Sequence, residues 1–219
     1  MSEESRLEGF ERPPHSLWNR ILAEPDRAPE YIALAAADRF GPEADEWVRV
    51  AGPGVRPDKL ARVAYKKHVR LARIEGGVLG LGGAFTAAPD VVALIWIQSR
   101  MIFYIAAANG YHPHHPMRPA ELLVLQGVYP TAEEARRALD GMGKRLGQAV
   151  VERALAGRSM DKLHRRLFKY LVKRMARRYA GQLIPLVGAP LGAIQNAGAT
   201  KDLGRQALAF YGANHQARP

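Results

Sequence analysis

Residues 90–110 read DVVALIWIQSRMIFYIAAANG, an apolar run broken only by Asp90 and Arg100. A bilayer-spanning helix needs about 20 apolar residues, so the run has the length for a span. A charge near the centre of a span costs about 2.5–3.5 kcal/mol even on insertion scales, and Arg100 sits mid-run. The reading is therefore a helix from Asp90 to Asn109, stopped at Asn109-Gly110, in a Gly-rich hairpin that is buried in the core or shallowly re-entrant rather than a span. The other charge-poor stretch, Tyr179 to Thr200, has 22 consecutive positions without a charge. Pro185, Pro190, Gln195 and Asn196 interrupt it, so it too reads as a buried or shallow re-entrant hairpin rather than a span. Gly76-x-x-x-Gly80 and Gly188-x-x-x-Gly192 place small residues on one helical face, a spacing that lets backbones approach closely.

Outward from that core, every other segment also reads as helix or as a Pro/Gly break. Residues 1–14 are polar and proline-ended and read as a disordered tail. A short helix is predicted over His15–Ala23, then helices over 30–39 and 43–50, and a turn at 51–57. Asp58 opens a basic amphipathic helix to Ile74. YHPHHPMRP (111–119) is too rich in proline for regular structure. Helices follow from Pro119 to Tyr129 and from Thr131, with Glu134 completing a capping box, to Leu155. Leu163, Leu167, Leu171 and Met175 mark an amphipathic helix over 161–179, and a last helix runs from about 201 to 213. No stretch alternates as a half-buried strand does, so the fold class is all-α: one multi-helix domain over 58–214, with 15–57 packed on it.

The chain has 219 residues, no cysteine, and a net charge of +11. The missing thiols exclude disulfides, thiolate metal sites and cysteine nucleophiles. The opening MSEESRLEGFERPP has no basic-then-apolar signal, which implies an intracellular domain. Two segments carry all of the net charge: residues 56–75 hold seven basic and two acidic side chains, and residues 158–178 hold nine and one. Both contain a helix opening Asp-Lys-Leu (58–73 and 161–178) and both lead into a glycine-spaced apolar stretch, an internal echo. A local excess of this sign suits a polyanion. The candidate anion-binding residues are Lys162, Arg165, Arg166, Lys169, Lys173 and Arg177 on the second helix, with Lys66 and Arg70 on the first.

The glycine stretch GGVLGLGGAF (76–85) has no G-x-G-x-x-G in register and no following Lys-Ser/Thr, so neither nucleotide motif is present. G-x-S-x-G and H-E-x-x-H are absent as well. His112, His114 and His115 are the densest set of metal-capable side chains, stiffened by three prolines, and they define an alternative reading as a metal-dependent enzyme or metal-binding factor. Asp90 reads as a helix-start acid. Arg100 must snorkel, pair or bind an anion. Asp90 lies almost three turns away along the same helix, so Arg100 needs a partner from elsewhere. Asp90, Arg100 and Asn196 are the candidate buried polar residues.

The order of several stretches resembles the EcsC protein family. They are the glycines of 76–83, Pro89-Asp90, IAAANGYHP (105–113), IPLVGAPLGAIQN (184–196) and the closing Ala207 to Tyr211. The resemblance covers about residues 58 to 212. It departs at Asn109-Gly110-Tyr111-His112, where the family has a Tyr-Gly-Tyr-Asp-like turn. The resemblance implies a bacterial helical protein, in the type member encoded beside an ABC-type transporter, without an assigned activity or active site. The combined expectation is a non-enzymatic protein on the cytoplasmic face of the membrane, without a cofactor. Its partners would be an anionic membrane surface or a membrane protein, with room for a small apolar ligand. Aromatics are only 8% and no recognition motif is present, so specific nucleic-acid binding is not expected.

Overall fold

Proline and glycine set most of the helix boundaries, and burial decides where they are overruled. The computed structural model describes residues 12–79, 88–143, 159, 162, 163, 165, 167, 169 and 193–216. Among them are seven continuous α-helices and no strand, so the chain is all-α as expected. Helix α1 spans His15–Ala23 and buries Leu17, Ile21 and Leu22. A 3-10 turn at Pro25–Arg27 leads into α2, Ala28–Ala51.

Helix α2 corrects the two helices expected at 30–39 and 43–50, because Pro42 lies inside one helix of 24 residues. A mid-helix proline orphans the carbonyl four residues back. Here that carbonyl belongs to Asp38, which is exposed, as is Pro42. Ile32, Ala36, Phe40 and Ala44 are all fully buried, so the apolar stripe runs unbroken across the proline and holds the helix straight through it.

Helix α3 covers Pro57–Leu79, starting with proline at its first position. It continues past the expected end at Ile74 through Gly76 and Gly77. Helix α4, Ala88–Ala108, holds nearly all of the apolar run 90–110. Its window Val91–Ala108 has a mean hydropathy of 1.7 and is 94% buried inside the protein. It is a core helix, packed against α2, α3 and the C-terminal helix. Its end is a Schellman motif: Gly110, at φ 77°, donates to the Ala107 carbonyl and Tyr111 to that of Ala106.

Helix α5 spans Arg118–Leu125 and ends four residues before the expected Tyr129. Gly127, at φ 70°, repeats the same cap, with Gly127 donating to Val124 and Val128 to Leu123. Helix α6, Ala132–Asp140, has the expected cap, as Thr131 Oγ1 accepts from the Glu134 amide at 3.2 Å. A 3-10 turn, Gly141–Gly143, follows. The expected continuation to Leu155 lies outside the described residues, as do residues 1–11 of the tail and most of the 161–179 and 181–192 segments. Helix α7, Ala193–Gln216, starts eight residues before the expected 201, since nothing after Pro190 breaks the helical run.

One core joins Leu17 of α1 to Tyr211 of α7, with Leu163 and Leu167 in it. The segment 15–57 therefore shares its hydrophobic interior with the rest of the chain. Helix α7 packs tightly against α3 at Gly204. A Cβ there would lie 2.5 Å from Tyr65 Cδ2, 2.7 Å from Cε2 and 3.1 Å from Met101 Sδ. Gly204→Ala is therefore expected to destabilise by about 1–3 kcal/mol through overpacking, read as a lower urea midpoint. An unchanged midpoint would mean that the Tyr65 ring yields without cost.

Candidate functional site

Helix α3 divides its side chains by chemistry. Leu60, Ala61, Ala64, His68, Val69 and Ala72 are buried. Lys59, Arg62, Lys66, Lys67, Arg70 and Arg73 are exposed, with Val63 the one apolar residue among them at 54% exposure. From Lys59 to Arg73 this cationic face extends about 21 Å at the helical rise of about 1.5 Å per residue. It carries no acid, and none of its six cations has an ion pair among the described residues.

Some other surface arginines are paired along their own helices. Arg49 pairs with Glu46, Arg136 with Asp140 and Arg205 with Asp202, each one helical turn away. On α3 the like-charge neighbours at that spacing are Lys59–Arg62, Arg62–Lys66, Lys66–Arg70, Lys67–Arg70 and Arg70–Arg73, and like charges there cost a few tenths of a kcal/mol per pair, about 0.2–0.5. Lys66 and Arg70 thus lie where the sequence placed them, and Lys59, Arg62, Lys67 and Arg73 join them. Of the second basic helix, Lys162, Arg165 and Lys169 are exposed while Leu163 and Leu167 are buried, which is the amphipathic split expected of it. Arg166, Lys173 and Arg177 lie outside the described residues.

Behind the cationic face lies a buried polar nest. Arg100 donates from Nη2 to Glu43 Oε1 at 3.0 Å, with its side chain 11% exposed. Its guanidinium also sits 5.7 Å from the Phe40 ring centre and 5.5 Å from that of Tyr104. The partner that Arg100 required is thus supplied by α2. His68 is fully buried, and its Nδ1–H donates to the Ala64 carbonyl at 2.7 Å. Its ring meets the Tyr104 ring edge-on at 5.1 Å, and its Nε2 has no partner among the described residues. Burial, helped by the charges of Arg100 and Lys67, pushes the imidazole down to about 3, so it is neutral at neutral pH.

The residues flanking Arg100 tie helices together. Gln98 donates to Thr200 Oγ1 at 3.2 Å, linking α4 to α7, and Gln126 to Ser99 Oγ at 3.3 Å. Asp90 falls in the first turn of α4 and Asn196 in that of α7, but their side chains lie outside the described residues. A second buried cluster escaped the sequence reading. Arg118 pairs with Glu121, Tyr211 donates to Glu121 Oε2 at 2.9 Å, and the guanidinium lies 4.9 Å from the Tyr111 ring centre. The signal was the i,i+3 opposite-charge pair inside the apolar RPAELLVL helix.

The histidine loop does not form a ligand set. His112, His114 and His115 are exposed, with the His112 and His114 rings 5.6 Å apart. His112 Nδ1 accepts the His114 amide at 3.3 Å, and His115 Nδ1 accepts the Met117 amide at 3.2 Å. No three His, Asp or Glu side chains among the described residues are placed to hold a metal ion.

Together these features define an all-α protein organised around one enclosed apolar helix, with a cationic face on the neighbouring helix. The family model for the EcsC protein family matches residues 56–213, from just ahead of α3 to near the end of α7. The chain belongs to that family. No curated protein and no solved structure matches it.

Proposed function

We propose that this EcsC-family protein is a non-enzymatic peripheral membrane protein that holds to the anionic cytoplasmic face of the membrane through the exposed side of α3. The observation that carries the reading is the row of six exposed cations with no acid among them and no ion pair among the described residues. Each Lys or Arg near an anionic surface contributes on the order of 1 kcal/mol. Six such charges, helped by the exposed Val55 and Val63 at the start of the row, suffice for reversible attachment. Lys162, Arg165 and Lys169 add to the same attraction. Attachment would bring the protein beside an integral membrane partner, a transporter being the kind its family resemblance suggests.

The protein is expected to sediment with vesicles containing anionic lipid, not with neutral ones, and to come off as salt is raised. Replacing Lys66, Lys67 and Arg70 together with glutamine should weaken vesicle binding by roughly 100-fold, three charges at about 1 kcal/mol each. Equal binding to neutral and anionic vesicles would reject the reading.

A further inference from the structure

At the N-terminal end of the cationic face, α3, α4 and α7 enclose an open cleft of about 450 Å3. Arg56, Asp58 and Arg62 line it from the start of α3, Asn109 from the end of α4, and Leu208 and Gly212 from α7. Its charges are already sorted. Arg56 is engaged with Asp58 at 3.0 Å, whereas Arg62 has no ion pair among the described residues. Asn109 is 4% exposed, and its Nδ2 donates to the Ile105 carbonyl at 2.8 Å. That bond fixes the amide orientation and leaves Oδ1 as an acceptor without a partner among the described residues. Oδ1 is not sealed off from solvent, so it is available to accept from a hydroxyl that enters the cleft. The cleft thus offers a cation, a hydroxyl acceptor and the apolar flank of Leu208.

We propose that this cleft binds a polyol phosphate ester, with the phosphate on Arg62 and a hydroxyl donating to Asn109 Oδ1. The ligand would be either the free ester or the headgroup of a glycerophospholipid; the lipid source rests on the attachment proposed above. The positive end of α3, which opens on Pro57 beside the cleft, favours the same anion.

Phosphatidylglycerol and phosphatidylmethanol carry the same charge and differ in the headgroup hydroxyls. Vesicles of each, at equal anionic fraction, separate the cleft from simple attraction. Phosphatidylglycerol should bind about fivefold tighter, the worth of one or two hydrogen bonds. Gly212→Leu tests the cavity without changing charge: a Cβ at Gly212 meets nothing within 4 Å, so the leucine enters the cleft rather than the core. That variant should lose the preference, and its circular dichroism melt reports whether it is folded. Arg62→Gln should weaken binding to both lipids. Calorimetry with glycerol phosphate against methyl phosphate is the arm for the free ester. Equal binding to the two lipids, together with no difference between the two soluble esters, overturns the cleft and leaves membrane attachment standing. Discrimination between the soluble esters, with no binding to any vesicle, keeps the cleft and overturns the attachment.

Discussion

Glu121→Ala should lower the unfolding free energy by about 3–5 kcal/mol, the cost of breaking a buried ion pair from one side. The Arg118 side chain is 7% exposed and that of Glu121 is 12% exposed. Removing the carboxylate leaves a guanidinium charge in the interior between the Tyr111 and Tyr211 rings. It also takes away the acceptor of the Tyr211 hydroxyl, a side chain that is fully buried. Burial, then the charge of Glu121, holds the Tyr211 phenol well above its ordinary range, so the hydroxyl stays a donor that needs an acceptor. Glu121→Gln keeps one acceptor oxygen and should cost less. The double change Arg118→Met with Glu121→Leu should recover most of the loss, because it removes both charges at once. Urea unfolding of the three variants checks the series. A loss under about 1 kcal/mol for Glu121→Ala would mean that water reaches the pair, as it does for exposed pairs of that worth. The cluster joins α5, α7 and the loop after α4, so its loss should also lower the protection of α7 amides from exchange.

Local chemistry was legible in the sequence where one turn contains the whole cause. The Thr131–Glu134 cap and the Asn109-Gly110 stop each involve groups within five positions, and both lie where the residues placed them. The two helices expected at 30–39 and 43–50 are one because Ile32, Ala36, Phe40 and Ala44 bury a continuous stripe across Pro42, and that burial is a tertiary fact. The Gln126-Gly127 stop was missed although it repeats the Asn109-Gly110 pattern, because apolar residues continue past it to Tyr129. That Arg100 needed a partner was readable from its apolar neighbours. That the partner is Glu43, 57 positions away, was not, since only packing brings α2 against α4. Charge counts found the cationic face, yet the residues singled out on α3 were Lys66 and Arg70, two of its six. The cleft is assembled from three helices, and no spacing along the chain foreshadows it.

His68 was legible in part, and it carries a large expected pH effect. It continues the buried stripe Leu60, Ala64, His68 at four-residue spacing, so periodicity places an imidazole in the core. An imidazole of about 3 in the folded protein compares with about 6.5 when unfolded. Above pH ~6.5 neither state binds a proton at this ring, and stability does not depend on it. Between ~6.5 and ~3 the unfolded chain takes up a proton that the folded chain refuses, so stability falls as pH falls. At about 1.4 kcal/mol per pH unit, roughly 2–3 kcal/mol is lost by pH 4.5, and the loss levels off below the folded value. Carboxylates contribute to any acid unfolding, so the informative quantity is a difference. His68→Leu, an apolar side chain of similar bulk, should flatten the pH dependence of stability between pH 7 and 4.5 by that amount. Arg100 and Lys67 remain in both proteins, so the comparison isolates the ring that their charges act on. Urea midpoints measured across the range provide the comparison, with the slope of each unfolding curve as a check that both proteins unfold in one step. Parallel profiles would mean that the ring is hydrated in the folded state and that its neutrality is not what holds α3 against Tyr104. A steeper profile for wild type ties the packing of the cationic helix to one unprotonated nitrogen, so acid should loosen α3 before it disturbs the pairs of α5.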